Sequence, residues 1–289
     1  MDKQESILSG VNDLIDQWCG LAHRTDCGTR SPKYANKTAA ILLSDNDHSR
    51  SVPAQGDILG SMYDRIESNW RLGGCRNPSR NTWVLRQRTA PTNAEKKPEE
   101  TLERVMAQAL GETWSNQLAT CSGLIRGRQE GRRSVDLVHD LGGNSYEFIE
   151  LKYKNGDRGR FGSNNPLHAT WEIVCYGLLY VLARRRLDIE GEKPVLSAHE
   201  IRLVVLAPSG YYRYKKNKVY RQFDLHWLER TINQSLGSLC KGIGVRLTFR
   251  FEQFTEDFDR LYKPLDRNSS LRAFGRPGFD FREPVYRSR

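Results

Sequence analysis

One aspartate, one glutamate and one lysine stand in a stretch of the chain that can fold back on itself. Asp136 lies in a mostly aliphatic run, Glu150 and Lys152 lie in the next such run, and residues 142–144 (Gly-Gly-Asn) separate the two. Residues that tolerate positive φ between two apolar runs predict a β-hairpin. Carboxylate oxygens are the ligands that Mg²⁺ prefers, and a cation relieves the repulsion between neighbouring acids. The trio is therefore a candidate divalent-metal site.

The pairing register of the hairpin decides whether these charged residues meet. A three-residue loop of residues 142–144 predicts three aliphatic or aromatic cross-strand pairs, which are Val135–Leu151, Leu137–Ile149 and Val138–Phe148. The same register sets Asp136 opposite Glu150 on one face of the sheet, and Lys152 shares that face. A slip of one residue would set Asp136 opposite an aliphatic side chain. The alternative is a structural ion pair of Lys152 with one acid, and the matched register favours the metal site over it.

This pattern of residues has a known counterpart. Asp136, followed after a hairpin by Glu150-Leu151-Lys152, resembles the motif of the PD-(D/E)XK nuclease superfamily, although Val135 stands where the motif usually has Pro. The resemblance implies a restriction-endonuclease-like α/β fold, with a mixed β-sheet core flanked by helices and here an N-terminal helical extension. It also implies a metal-dependent phosphodiesterase. Asp136, Glu150 and the Leu151 carbonyl would hold Mg²⁺ or Mn²⁺, and Lys152 would orient or help to deprotonate the attacking water.

The resemblance implies further site residues on two helices. In the family the first core helix commonly supplies an extra Glu, for which Glu103 is the matching position and Glu100 the second choice. Glu172 and Tyr176 are similar in spacing to the Gln-x-x-x-Tyr pair of the family, with Glu in place of Gln. That pair would bind water at the metal, orient Lys152 or make a buried contact. For Glu103 the alternative is a solvated surface acid.

Hydrophobic periodicity predicts the elements that must position these residues. Helices are predicted over residues 6–23, 55–70, 98–110, 167–186 and 224–240, and strands, besides the hairpin, over 117–126, 200–208 and 245–251, the last as an outer strand. The polar residues 24–53 predict a long, partly disordered loop. The predicted organisation is a helical extension with a polar loop over residues 1–95, a nuclease-like core over 96–263 and a basic flexible tail over 264–289.

The charge of the chain points to a nucleic acid as partner, with DNA as the first expectation. The net charge is +10 and the isoelectric point is about 9.4. Two basic segments are expected to contact the phosphate backbone, and in the second of them, where tyrosines are interleaved with basic residues, the rings are also expected to stack on bases. The residues expected to bind are Lys154, Arg158 and Arg160 in the first segment, and Tyr212, Arg213, Lys215, Lys216 and Lys218 in the second. For each segment the alternative is an ordinary charged surface loop.

Cysteine spacing and hydropathy bear on the compartment. The six cysteines form no C-x-x-C pair, which predicts free thiols in a reducing cytoplasm. The longest apolar run, residues 173–183, is too short to cross a bilayer, and the first ten residues lack a signal-peptide pattern. These features predict a soluble cytoplasmic protein without a membrane partner.

Three functions remain compatible with the residues. The favoured one is a Mg²⁺-dependent deoxyribonuclease, more specifically an endonuclease. The others are an RNA-cleaving nuclease and a non-catalytic module of the same fold that binds nucleic acid or protein. The N-terminal helices or the tail would be the surfaces for a homo-oligomer or a protein partner, and the sequence does not choose between these.

Overall fold

The chain folds into helices packed around one mixed β-sheet. The computed structural model describes residues 6–27, 32–45, 57–73, 81–120, 133–153, 165–186, 193–262, 266–274 and 279–286. Within these ranges the helices are α1 (Val11–Trp18), α2 (Lys37–Asp45), α3 (Ile58–Gly73), α4 (Pro98–Ala109), α5 (Pro166–Arg186), α6 (His226–Leu239), α7 (Glu256–Leu261) and α8 (Arg267–Phe274). The strands are β1 (Trp114–Ala119), β2 (Ser134–Gly142), β3 (Ser145–Leu151), β4 (Glu200–Ala207), β5 (Arg213–Lys216), β6 (Val219–Gln222), β7 (Arg246–Phe254) and β8 (Arg282–Pro284).

The main sheet has six strands in the order β1-β2-β3-β4-β7-β8. Strands β1, β2 and β3 are antiparallel neighbours, whereas β3 pairs with β4, and β4 with β7, in parallel. Parallel neighbours require a crossover connection, and α5 and α6 lie in the two crossovers. The predicted α/β class with a mixed sheet is therefore confirmed.

Both faces of this sheet are covered. Strand β3 is buried along its whole length, and its alternate side chains enter two apolar clusters. Phe148 packs with residues of α5, α6 and the N-terminal helices, whereas Ile149 and Leu151 pack with residues of α4, α7 and α8. Trp18 of α1 joins the first cluster, with its ring centroid 5.6 Å from that of Trp171 on α5. The described part of the predicted N-terminal extension thus packs directly on the core.

Helix α2 lies within the segment that was expected to be a loop, so that expectation is wrong for these residues. Its sequence is KTAAILLSD, and Ala39, Ala40 and Leu43 are buried. Polar residues flank these few apolar positions, so the hydrophobic periodicity of the segment is too weak to predict a helix. The burial of α2 depends on its tertiary contacts.

The C-terminal segment adds an edge strand, and this corrects two predictions. Strand β8 pairs antiparallel with β7, so β7 is an interior strand rather than the outer one. The guanidinium of Arg282 lies 2.6 Å from a Glu147 carboxylate oxygen and 3.1 Å from one of Glu252, and both acids are buried. Arg250 pairs with the same two acids at 2.9 and 2.5 Å. Strand β8, which lies in the predicted flexible tail, is therefore held on the sheet by its pairing with β7 and by ion pairs of Arg282 that no local pattern predicts.

Two expectations about composition can be compared with the described residues. No helix in this part of the chain is long and apolar enough to cross a membrane. The cysteines there, which are Cys19, Cys27, Cys175 and Cys240, are free, as their spacing predicted.

Candidate active site

The hairpin of β2 and β3 places the central acids. The ladder runs from the pair Leu137–Ile149 to the pair Gly142–Ser145, with a register shift between Asp140 and Gly142. The turn is thus shorter than predicted, and a bulge supplies the missing residue, so the predicted pairs Leu137–Ile149 and Val138–Phe148 are confirmed. Two positive φ angles, 57° at Gly143 and 61° at the next residue, fit a type I′ turn.

At the open end of the hairpin a side chain replaces the expected ladder pairs. Asp136 accepts a hydrogen bond of 2.9 Å from the Leu151 backbone N–H. The backbone pairing of β2 with β3 ends at Leu137–Ile149, so it does not include the predicted pairs Val135–Leu151 and Asp136–Glu150. The carboxylate nevertheless lies beside β3, as expected, and Asp136 keeps part of its surface open to solvent. Asp136 therefore contacts the buried end of β3 and is also accessible to solvent.

Lys152 joins the hairpin to helix α5. Its ammonium group donates to Glu150 Oε1 and lies 3.2 Å from Glu172 Oε2, and all but a few per cent of the surfaces of Glu150 and Lys152 is buried. The backbone N–H of Lys152 donates a hydrogen bond of 2.9 Å to the Leu206 carbonyl of β4, which fixes the backbone at the end of β3. The second Glu150 oxygen, Oε2, is buried without a hydrogen-bond partner. Lys152 thus brings Glu150 of the hairpin together with Glu172 of α5.

The acids of this cluster raise one another's proton affinity. Burial raises the pKa of Asp136 well above its ordinary value, and the charge of Glu103 adds to the effect. Burial likewise raises the pKa of Glu150, with the charge of Asp136 as the next cause. Burial alone would lower the pKa of Lys152, but Glu150 and Glu172 raise it well above its ordinary value. Lys152 is therefore charged at neutral pH.

Glu103 reaches the site from α4 through Gln117. Gln117 Nε2 donates a hydrogen bond of 2.6 Å to Oε2 of Glu103. The Ser134 hydroxyl donates one of 2.9 Å to Oε1 of Gln117. Gln117 lies between Asn116 and Leu118, whose partners on β2 flank Asp136, and its φ is 55°. A non-glycine residue with positive φ is uncommon and is often held at a functional site. The predicted location of Glu103 near the acids agrees with this contact.

Other residues are placed differently from the sequence expectations. Glu100, the second choice, pairs with Lys97 and Arg104 on the outside of α4. Glu99, which the motif did not indicate, accepts a hydrogen bond of 2.8 Å from the Tyr153 N–H. Its negative charge also contributes to the raised pKa of Lys152. Its spacing of four residues from Glu103 was the available signal, because residues four apart share a helix face.

Helix α5 contributes two further groups to the site. Tyr176 is buried, and burial raises its pKa, with the charges of Glu150 and Glu172 as further causes. The Nδ1 atom of His168 lies 3.0 Å from Oε2 of Glu172, which is four residues further along the helix. Burial opposes ionisation of Glu172, but His168 and Lys152 lower its pKa to about 2. The predicted second layer around Lys152 thus contains an extra histidine.

The predicted nucleic-acid contacts divide into three groups. Lys154, Arg158 and Arg160 lie outside the described residues. Four of the residues in the second basic segment are exposed on the β5–β6 hairpin, and these are Arg213, Lys215, Lys216 and Lys218. Tyr212 is buried, with its hydroxyl 2.9 Å from the Val205 carbonyl and 2.8 Å from that of Glu252. The expectation that Tyr212 stacks on bases is therefore wrong for its side chain.

The donor set fits a divalent cation held by few protein groups. The described residues contain no group of three or more His, Cys, Asp or Glu side chains arranged around a metal position. Mg²⁺ in phosphate-handling sites commonly uses one or two carboxylates and completes its shell with water and substrate oxygens. Here the unpartnered Glu150 Oε2 and the partly exposed Asp136 are two such carboxylates, each with a raised proton affinity in the absence of a cation. The residues present therefore fit the group implied by the sequence.

The acid cluster predicts an inverse dependence of stability on pH without divalent cations. Burial, together with Glu99 and Glu150, raises the pKa of Glu103 to about 8 from its ordinary 4.5. A carboxyl group with a raised pKa in the folded state binds more protons folded than unfolded, so its contribution is lost as pH rises from about 4.5 to 8. The acids with lowered pKa values act only below this window. Between pH 5.5 and 8 in EDTA, we expect the melting temperature of the wild type to fall by roughly 4–8 °C more than that of Glu103→Gln. This difference corresponds to about 2 kcal/mol in the free energy of unfolding.

Calorimetry at both pH values measures this difference. Glutamine keeps the acceptor for Gln117 Nε2, so the variant removes the ionisable group with little change of contacts. Equal falls for the two proteins would contradict the raised proton affinity of Glu103.

Comparison with known proteins does not add to this description. The chain matches no protein-family model, no curated protein and no solved structure. The assignment of a function therefore depends on the geometry and electrostatics of the cluster formed by Asp136, Glu150, Lys152, Glu103 and Glu172.

Proposed function

We propose that this chain is a metal-dependent nuclease of the restriction-endonuclease-like fold that hydrolyses phosphodiester bonds, with DNA as the expected substrate. The observation that carries the proposal is that two carboxylates lie beside Lys152: Asp136 accepts a hydrogen bond from the Leu151 N–H, and Glu150 is ion-paired with the buried Lys152 ammonium. A buried carboxylate next to a second acid destabilises a fold unless a cation compensates its charge. Lys152 compensates one oxygen of Glu150, and Oε2 of the same residue has no partner.

The topology supports the fold part of the proposal. Helix α4 precedes three antiparallel strands, and helix α5 then leads to β4, which is parallel to β3. This is a mixed sheet flanked by helices, the arrangement that the resemblance implied. The candidate site lies where β3 ends and where α4 and α5 contribute Glu103 and Glu172. Each of these elements is packed on the core, so the site residues are held by rigid elements rather than by loops.

Asp136, Glu150 and the Leu151 carbonyl would hold Mg²⁺ or Mn²⁺. The chemistry that the cation supplies is charge neutralisation at the phosphate and activation of water. Lys152 remains protonated, so its role is electrostatic: it orients water through its N–H groups and stabilises the negative charge that develops on the phosphate oxygens. Glu172, supported by His168, fixes the direction of the Lys152 ammonium.

A cleavage assay tests this function. Plasmid, linear duplex and single-stranded DNA, and RNA, are incubated with the wild type in Mg²⁺, in Mn²⁺ and in EDTA. We expect cleavage with either cation, none in EDTA, and a loss of about 10³-fold or more in Asp136→Asn, because several kcal/mol of transition-state stabilisation depend on the metal site. The RNA substrate decides between the DNA and RNA alternatives.

Asp140→Asn is the matched control. Asp140 lies on the same strand and face as Asp136, but its carboxylate accepts 2.8 Å from the Gly142 N–H near the turn, away from Lys152. This variant should cleave at the wild-type rate within about threefold. Cleavage that survives Asp136→Asn, or an equal loss in the two variants, would show that the site is elsewhere. A folded wild type that binds DNA but cleaves none of the substrates would favour the non-catalytic module.

A further inference from the structure

The β5–β6 hairpin exposes apolar surface in a way that is rare on this protein. Among the described residues three large hydrophobic side chains are exposed, and two of them are neighbours on β6: Val219 at 58% and Tyr220 at 70% exposed. The third, Leu72, is 77% exposed on α3. Successive residues of a strand point to opposite faces, so Val219 and Tyr220 are exposed on opposite sides of the hairpin, and Tyr220 is the larger of the two.

Buried aromatic residues fix the base of this hairpin. Tyr212 is held by the carbonyls of β4 and β7, and Tyr214 packs against Phe223 with 4.8 Å between ring centroids. The Phe223 N–H donates 2.8 Å to the Tyr212 carbonyl, which closes the base. The two strands are joined by Asn217 and Lys218, both with positive φ, as a type I′ turn requires. The exposed residues are thus presented by an anchored two-stranded ribbon.

One face of the ribbon combines an aromatic ring with cations. Because Tyr214 points to the core, its neighbours Arg213 and Lys215 point the other way, and Tyr220 lies directly opposite Lys215. The Lys215 ammonium is 5.7 Å from the centroid of the Tyr220 ring. The exposed ring is therefore flanked by positive charge on the outer face.

The charge of the ribbon is of one sign. Its five basic residues are Arg213, Lys215, Lys216, Lys218 and Arg221, and residues 213–222 contain no acid. A surface with this charge attracts a polyanion, and a peptide partner would need a matching run of acids. An exposed aromatic ring among cations adds a platform on which a base can stack, but only where that base is not already paired in a duplex.

The ribbon also rises from the edge of the candidate active site. It follows β4, whose Leu206 carbonyl accepts from the Lys152 N–H. Tyr211, which lies just before the ribbon, is close enough to Lys152 and Glu172 for their charges to act on its hydroxyl. Four residues per strand extend about 13 Å, which is the length of a few nucleotides.

We propose that the β5–β6 ribbon binds unpaired nucleotides next to the site of cleavage, with Tyr220 stacking on a base and the surrounding lysines and arginines contacting phosphates. The preferred substrate is then a nucleic acid with a single-stranded region. This inference rests on the proposed function for its biological meaning, and Tyr220 replaces Tyr212 as the stacking residue.

Fluorescence anisotropy in EDTA tests the binding without cleavage. The probes are a labelled oligothymidylate of about 20 nucleotides, longer than most single-strand sites, and a duplex of the same length. We expect Tyr220→Ala to weaken binding of the single strand by about 5–150-fold, which corresponds to the loss of one base stack, and binding of the duplex by less than about twofold. Tyr220→Phe should bind like the wild type, because the ring is retained.

Leu72→Ala is the matched control, since it also removes an exposed apolar side chain, and it should leave both affinities unchanged. Equal losses for single strand and duplex, unchanged affinity in Tyr220→Ala, or no binding of the single strand by the wild type would each overturn the proposal. A ribbon that contacts a protein would give the second of these results. Since binding is measured without a cation, the outcome is independent of whether Asp136 supports cleavage.

Discussion

Lys152→Met is expected to lower the free energy of unfolding by about 3–5 kcal/mol, because it leaves a buried carboxylate without its partner. Lys152 is only 6% exposed and its ammonium contacts both Glu150 and Glu172. Methionine retains most of the side-chain volume, so the loss reports charge rather than packing. The deficit should grow as the pH rises above about 4.5, the ordinary pKa of a glutamate carboxyl, because burial raises the pKa of Glu150 and a proton neutralises this carboxylate more easily at lower pH. Urea denaturation in EDTA measures both effects.

A second substitution separates the ion pair from other causes. Adding Glu150→Gln to Lys152→Met removes the orphaned charge, so the double variant should recover at least about half of the lost stability. Lys215→Met is the matched control, because Lys215 is exposed on the β5–β6 ribbon and should cost less than about 0.5 kcal/mol. Similar losses for the two lysines, or no recovery in the double variant, would contradict a buried, charged Lys152.

Asp136→Asn is expected to have opposite effects on stability and on activity. Without a cation the free energy of unfolding should rise by about 1–2 kcal/mol, because one of two acids that repel each other is removed. The asparagine amide oxygen can still accept the hydrogen bond from the Leu151 N–H. Cleavage should be lost, as argued above. Saturating Mg²⁺ should stabilise the wild type by about 2–4 kcal/mol through binding to the folded state, and this increment should disappear in Asp136→Asn.

Thermal unfolding with and without Mg²⁺ measures this pair of effects, with Asp140→Asn as reference. The reference should keep the full Mg²⁺ increment, because its carboxylate serves only the turn. An Mg²⁺ increment of equal size in Asp136→Asn and in the wild type would mean that the cation binds elsewhere. A loss of stability in metal-free Asp136→Asn would mean that the aspartate is a structural hydrogen-bond acceptor rather than half of a repelling pair.

Local patterns were sufficient for the hairpin and for the identity of its charged residues. Alternating apolar residues define only one register that buries them, so Leu137 and Ile149 could be paired without a structure. Likewise Glu172 and Tyr176 share a face of α5 because they are four residues apart. The bulge after Asp140 was not predictable, because one residue can be absorbed in the turn or in the strand with the same register below it.

Tertiary contacts decided which charged groups enter the site and which do not. Glu99 and Glu100 are neighbours on α4, but only the position of Tyr153 makes Glu99 a partner of the site. Tyr212 and Tyr220 look equivalent in a basic, tyrosine-rich segment, whereas the carbonyls of Val205 and Glu252 bury one and leave the other exposed. These contacts are made between residues distant along the chain.

The sequence by itself determined the inner strands β2, β3, β4 and β7, the main helices and the acid–lysine trio, because periodicity and short spacings are properties of neighbouring residues. Only the tertiary structure decided that Lys152 is buried between Glu150 and Glu172, that Glu150 Oε2 has no hydrogen-bond partner and that the C-terminal segment adds the edge strand of the sheet. The physical reason is that burial and long-range charge depend on which elements meet in space, and no local pattern contains that information.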